Sequence, residues 1–322
     1  MTHFDALGRA VAGMLALVCL AAAPCAAEPA PAGSFESGSL VSGGLTRTFR
    51  LYVPRSAKPA HPMALLFVLH GGGGTGRGMV RLTYGRFEKL ADIRGIAVVY
   101  PDGVEKGWND GRVGLDQPAS RQNVDDVRFL QELLEHVAGR FPIDRKRVYS
   151  CGISNGGFMS FRLACDLTDR FAAVASVVAG VGDTLASTRK PSRPIPVLMI
   201  LGTDDPLVPF TGGQVGFPRK PRGLVLSAAR SVSYWLEQNR CSPVPRRRVL
   251  PDLAFDDGTR AVSSAYSGPT TASDVELIAV QGGGHTWPGG MQYLPEFLIG
   301  KTSRDFDACD VIWSFFERHR LP

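Results

Sequence analysis

The sequence predicts an α/β fold: a mostly parallel, mixed sheet flanked by helices, with an antiparallel hairpin at its N-terminal side. Three observations lead there. Continuous apolar runs recur along the chain, as strands buried on both faces require. Helical periods at three- and four-residue spacing fall between several of them. The segment "LTRTFRLYV" at 45–53, preceded by "SGG", alternates apolar Leu45, Phe49, Leu51 and Val53 with polar residues, the pattern of a half-buried hairpin arm. Strands and helices that alternate in this way give a parallel sheet covered on both sides, and ligands then sit at the carboxyl ends of its strands.

The first 27 residues are set aside from the fold. Arg9 gives a positive start, "AVAGMLALVCLAAA" is an apolar core short for a membrane span, and "CAA" before Glu28 is a small-residue cleavage site. This reads as a signal peptide of an exported protein, extracellular or periplasmic, with no stable membrane insertion. Residues 28–322 are expected to form a single α/β domain, a usual length for one large core. A short "EPAPAG" linker leads into the hairpin.

The apolar runs follow in order: "ALLFVLH", "IAVVYP", "RVYSCGI", "FAAVASVVA", "PVLMILG" and "VELIAV". The stretch "RLTYGRFEKLADI" is helical. Asn123 is expected to cap a helix carrying Asp125 and Asp126 in its first turn and Val127, Leu130, Leu134, Val137 and Phe141 along one stripe. A last helix carries Val311, Ile312, Phe315 and Phe316 on one face.

The 36 Lys and Arg residues against 30 Asp and Glu leave a net charge of +6. That balance is mild, and the basic runs "RKPR" (219–222) and "RRR" (246–248) lack interleaved aromatics. They read as solvated loops, and no nucleic-acid partner is expected. Cys151, Cys165, Cys241 and Cys309 show no metal-ligand spacing. Cys241 and Cys309, each beside a helix in the C-terminal third, are the expected disulfide; Cys151 and Cys165, beside an apolar strand and helix, are expected to be buried thiols.

The chemistry centres on "VYSCGISNGGFMSFRLAC". Gly152, Ser154 and Gly156 form G-x-S-x-G between an apolar strand and a helix, the context in which a serine stands exposed on a sharp turn. Its hydroxyl needs a base. Of the histidines, His3 leaves with the signal, His61 precedes a strand, His136 lies off an apolar helix face, and His319 is near a frayed C-terminus. His70 and His285 remain. His285, on the glycine-rich loop after the last apolar run, sits where such a base is held. The orienting acid falls between serine and histidine: Asp204 and Asp205 follow the run ending at Gly202, Pro206 favours Asp205, and Asp183 is the alternative.

"GISNGG", "GTDDPLVPF" and "GGGHTWPGG", with "HGGGG" and "YPDGVEKGWNDG" upstream, resemble the secreted polyhydroxybutyrate depolymerase and feruloyl esterase group of the α/β-hydrolase superfamily. The resemblance runs from about Leu51 to the C-terminus. It implies a serine carboxylic-ester hydrolase with Ser154 as nucleophile, Asp205 as acid and His285 as base, working through an acyl-enzyme without a metal or organic cofactor. The residues after His285 read as one loop and one helix rather than a linker and a granule-binding domain. Soluble short-chain esters, oligomeric hydroxyalkanoates or aromatic esters are therefore the expected substrates. A serine peptidase on the same fold and a catalytically silent binding protein are the alternatives.

In this fold the loop after the third strand and the residue after the nucleophile donate backbone N–H groups to the oxyanion, here Gly72 and Asn155. A dinucleotide-binding reading of Gly71, Gly73 and Gly76 competes, because an apolar strand precedes them and Asp102 ends the next strand. Asp102 lies too far along for that fingerprint. Trp108 and Trp287, on loops beside the proposed chemistry, are expected substrate contacts; Trp235 and Trp313 fall in helical periods and read as core.

Overall fold

In a computed structural model, residues 32–322 are described, apart from 59, 218–219 and 271–272. The expected signal peptide lies outside the described residues. The strands are β1 (Ser34–Ser42), β2 (Leu45–Val53), β3 (Met63–Leu69), β4 (Ile96–Pro101), β5 (Ile143–Ile153), β6 (Ala173–Val177), β7 (Val197–Gly202), β8 (Gly213–Phe217), β9 (Lys220–Val225), β10 (Arg246–Val249), β11 (Arg260–Tyr266) and β12 (Val275–Gln281). The helices are α1 (Gly76–Leu82), α2 (Arg86–Arg94), α3 (Pro118–Arg121), α4 (Asp126–Arg140), α5 (Asn155–Asp166), α6 (Asp183–Thr188), α7 (Ala228–Asn239), α8 (Glu296–Ile299) and α9 (Ala308–Phe316).

Ten strands make one sheet in the order β1-β2-β4-β3-β5-β6-β7-β12-β11-β10. The six apolar runs are its six central strands, mutually parallel from β4 to β12. The expected hairpin is β1 and β2, paired antiparallel and joined antiparallel to β4. Every residue of β3 is buried, and its side chains alternate between two cores. Leu65, Phe67 and Leu69 belong to one core together with Phe129, Phe161 and Trp235; Leu66 and Val68 belong to the other together with Phe87, Trp313 and Phe316. Each such large apolar side chain contributes about 1.5–3 kcal/mol on burial, so the central strands hold the sheet rigid where their carboxyl ends carry loops.

Several expectations change. Asp125, not Asn123, caps α4: its carboxylate accepts from the Arg128 amide, while Asn123 turns back at φ 47°. "RRR" is not a loop but the edge strand β10, antiparallel to β11, its exposed charges discouraging further pairing. Within "RKPR", Arg222 lies on β9 of a separate two-stranded ribbon with β8, and Arg219 lies outside the described residues. His319 is buried against Phe315, and its carbonyl accepts from the Tyr149 hydroxyl, so the chain end is anchored there. The helix expected at 81–93 is two, α1 and α2, broken where Tyr84 and Gly85 take positive φ.

The expected disulfide is absent. Cys241 packs on the core with α4, α5 and α7, and its thiol donates to the Ser273 carbonyl at 2.8 Å. Cys309 is fully buried in the core on the opposite face. The sheet lies between them, so no rotamer brings the sulfurs together. Cys151 and Cys165 are buried free thiols as expected. Among the described residues no helix is long and apolar enough to cross a membrane.

Candidate active site

Leu69, Gly152 and Ser176 are in register across β3, β5 and β6, and Gly202 pairs with Val280 across β7 and β12. The loops that follow these strands carry His70, Ser154, Asp205 and His285. They converge on a cleft of about 490 Å³ lined by Ser154, His285 and the backbone of Gly71 to Gly74.

Ser154 sits between β5 and α5 at φ 54°, ψ −120°, a conformation that costs a side-chain-bearing residue about 1–3 kcal/mol. Its amide donates to the Val177 carbonyl at 2.8 Å. The flanking glycines make the turn sterically feasible. A β-carbon on Gly152 would lie 2.5 Å from the Gly156 carbonyl carbon, and one on Gly156 would lie 2.3 Å from the Leu69 carbonyl oxygen.

His285 and Asp205 are both buried and joined by Nδ1 and Oδ2 at 2.7 Å. The other carboxylate oxygen of Asp205 accepts from the amides of Leu207 and Val208, each at 2.8 Å, so the acid is held from both ends. The Tyr293 hydroxyl donates to the His285 carbonyl at 2.8 Å. Burial, reinforced by the Asp205 charge, pushes that phenol up, which keeps its proton in place. The neighbour Asp204 is exposed and accepts from the Thr203 hydroxyl, and Asp183 is exposed at the start of α6. Asp205 alone of the three meets the histidine.

His70 lines the same cleft in a different state. Its Nε2 accepts from the Gly103 amide at 2.9 Å and its Nδ1 pairs with the Gly71 carbonyl at 2.8 Å, which assigns the proton to Nδ1. Burial pushes the imidazole below its ordinary range. Both nitrogens are occupied, so His70 shapes the glycine turn.

That turn is tied down selectively. The Gly73 amide donates to the Lys106 carbonyl at 2.7 Å and the Gly74 amide to the Gly71 carbonyl at 2.9 Å. Among the described residues the Gly72 and Asn155 amides meet no protein acceptor. The Gly76 amide donates to Asp102 Oδ1 at 2.8 Å, so Asp102 anchors the start of α1.

Trp108 and Trp287 are not where substrate could reach them. Both are fully buried, and neither lines the cleft. Trp108 packs at a tilt against His70, ring centroids 4.9 Å apart, and donates from its indole to the His70 carbonyl at 2.9 Å; Trp287 packs edge-on to Phe87. The loop of Trp108 holds something sequence reading missed. Asn155 Oδ1 accepts from the Trp108 amide at 2.8 Å, and its Nδ2 donates to Asp110 at 2.7 Å, which fixes the first residue of α5. Asp110 in turn chelates the Arg112 guanidinium at 2.7 Å. The "GWNDG" motif was the available signal, but its value lies in Asp110 as well as in the tryptophan. Gln117 and Tyr293, which also line the cleft, carried no local pattern, and Arg222, which lines it too, fell in a basic run that reads as a solvated loop.

Among the described residues no cluster of three His, Cys, Asp or Glu side chains is placed to hold a metal ion. The chain matches the Esterase family, described as "Putative esterase", over residues 42–242. It is 34% identical over 281 residues to "Putative esterase NocK" of Nocardia uniformis, covering 84% of this chain and 79% of that protein. It is 27% identical over 203 residues to feruloyl esterase B of Piromyces equi, and 30% identical over 172 residues to "Probable feruloyl esterase C" of Aspergillus niger. Of those two it spans 35% and 58% of the length, and they cover 61% and 52% of this chain. In structure, acetyl xylan esterase from Aspergillus awamori superposes with a TM-score of 0.56 at 15% identity, covering 88% of this chain and 99% of that one, which shows the shared fold. A nucleophile-type turn, a buried Asp–His pair and a match over most of the chain lead to one conclusion: the protein belongs to the Esterase family of α/β hydrolases and is a carboxylic-ester hydrolase.

Proposed function

We propose that this protein is an exported serine esterase of the polyhydroxybutyrate depolymerase and feruloyl esterase type, acting through an acyl-enzyme on soluble short-chain, oligomeric hydroxyalkanoate or aromatic esters. The observation that carries the reading is the 2.7 Å Asp205–His285 pair in the cleft that Ser154 enters from a positive-φ turn. With Nδ1–H given to Asp205, the Nε2 of His285 is free to take the Ser154 proton as Oγ attacks the ester carbonyl. The amides of Gly72 and Asn155 then receive the oxyanion, and His285 returns the proton to the leaving alcohol. Water repeats the sequence on the acyl-enzyme and releases the acid.

The substrate class rests on the cleft and on relatives. About 490 Å³ suits a small acyl or aromatic group better than a polymer surface, and two relatives bear the name feruloyl esterase. Export is supported by the N-terminal apolar core and its small-residue cleavage site. Hydrolysis of 4-nitrophenyl acetate and butyrate by the wild type and by Ser154→Ala tests the mechanism: turnover that survives the substitution overturns it. A panel of methyl ferulate, acetylated xylan and hydroxybutyrate oligomers ranks the substrates.

A further inference from the structure

The charge on the cleft wall is uneven. Arg112 and Arg222 both line it, and no Asp or Glu does. Arg112 is spent: it is buried, its Nε and Nη2 are bound to Asp110, and its Nη1 donates to the Arg222 carbonyl at 3.0 Å. Its guanidinium also lies 3.7 Å above the Phe158 ring. Arg112 therefore acts as a brace that holds the backbone of Arg222 over the cleft. Arg222 itself is exposed, and among the described residues no carboxylate pairs with its side chain.

The ends of Arg222 and Gln117 both come close to Gly72. A β-carbon on Gly72 would lie 2.7 Å from Gln117 Nε2 and 3.3 Å from Arg222 Nη1, so both donors converge on the glycine turn. Gln117 is buried, its Oε1 is turned toward the backbone at Gly107 without a hydrogen-bond partner, and its amide nitrogen is left toward the cleft. Two donors, one of them a cation, thus share a wall with the proposed oxyanion site, and among the described residues neither meets a protein acceptor.

We infer that Arg222 and Gln117 form a subsite for a carboxylate carried by the ester substrate, so that the preferred substrates are esters with an acid group in one half. The reading rests on Ser154 as the reacting serine and names the substrate class of that site. A guanidinium and a side-chain amide converging from one wall match the two oxygens of a carboxylate. An uncompensated cation in a cleft with largely apolar walls also draws anions toward it. The carboxylate belongs to either the acyl or the alcohol half, and matched ester pairs separate the two.

The test compares wild type, Arg222→Gln and Arg222→Lys on two pairs: 4-nitrophenyl hemiglutarate against 4-nitrophenyl valerate, and 4-acetoxybenzoate against 4-acetoxybenzamide. In each, the anionic-to-neutral ratio of kcat/KM is the readout. Arg222→Gln lowers that ratio about tenfold in one pair, a discounted value for a guanidinium open to solvent on one side, and Arg222→Lys recovers part of it. A fall in the first pair assigns the subsite to the acyl half, and a fall in the second assigns it to the alcohol half. Ratios that Arg222→Gln leaves unchanged in both pairs overturn the inference. Should Ser154 prove not to be the nucleophile, the subsite is still read without turnover by calorimetric titration with glutarate and with 4-hydroxybenzoate. Weaker binding of either acid to Arg222→Gln upholds the subsite, and equal affinities for both acids reject it.

Discussion

The Gly103 amide donates to Nε2 of His70 at 2.9 Å, and this one bond separates the two histidines of the cleft. His285 presents an unoccupied Nε2 in the proposed mechanism, whereas the corresponding nitrogen of His70 is an acceptor already in use. Protonation of His70 would abolish that acceptor inside a buried site.

A pH dependence follows. Burial sets the folded-state pKa of His70 below its value in the unfolded chain. Below about pH 6.5 the unfolded chain therefore binds the extra proton and the folded one resists it, so stability falls as pH drops through that value. Above it, the contribution is fully present. Thermal melts of wild type and His70→Gln between pH 7.5 and pH 5, the range set by the ordinary histidine pKa, are expected to show the difference in Tm shrinking as pH falls. A constant difference would mean that His70 does not titrate in the unfolding equilibrium.

Two glycine substitutions are expected to act in opposite directions. Gly156→Ala sets a methyl group 2.3 Å from the Leu69 carbonyl oxygen and 2.7 Å from that of His70, both backbone atoms of the central sheet and its loop. The cost is about 3 kcal/mol or more, and esterase activity falls with it because the Ser154 turn has to move. Gly139 lies exposed near the end of α4, where an added β-carbon meets nothing within 4 Å. Gly139→Ala gains about 0.5–1 kcal/mol from helix propensity and reduced unfolded-state freedom. Denaturant melts read both signs.

The part of this architecture that was legible in the sequence is the part governed by local rules. Strands covered on both faces must be continuously apolar, so β3 to β7 and β12 stand out, while β10 and β11, an antiparallel polar margin, do not. The G-x-S-x-G turn is legible because backbone crowding forbids a β-carbon at 152 and 156. Asp204 and Asp205 are neighbours; Pro206 and the resemblance favour Asp205, and the fold shows why, because only its side chain reaches His285 on the neighbouring strand's loop. Trp108 and Trp287 misled for the opposite reason: their position on loops suggested exposure, but packing under those loops buried them. Arg222 and Gln117 lie far apart in the chain, and only folding brings them over Gly72.

The free cysteines allow a chemical check on the corrected disulfide. Burial and the Asp274 charge push the half-buried Cys241 thiol up to about 11. Only a small thiolate fraction exists near neutral pH, so Cys241 in the folded protein should react slowly with a thiol-specific disulfide reagent, and faster as pH rises toward that value. After unfolding under non-reducing conditions, Cys151, Cys165, Cys241 and Cys309 should all be alkylated, which mass spectrometry of the peptides reads. An unalkylated, cross-linked Cys241–Cys309 peptide pair would contradict the separation of the two thiols by the sheet.

The glycine turn offers the sharpest test of the proposed oxyanion site, because its amides are already sorted by partner. Gly73 and Gly74 donate to protein carbonyls, and among the described residues Gly72 meets no acceptor. Gly72→Pro deletes the one N–H of that turn proposed to meet the oxyanion, and kcat should fall by about two to three orders of magnitude. Proline also adds bulk, so Gly72→Ala is the control that keeps the N–H. Its methyl group meets the ends of two side chains, Gln117 and Arg222, rather than backbone, and these can swing aside at modest cost. The expected order in kcat is therefore wild type, then Gly72→Ala, then Gly72→Pro far below. Steady-state kinetics with 4-nitrophenyl butyrate measures it. If alanine is as damaging as proline, the loss lies in the space above Gly72, and the amide of Gly72 is not the donor.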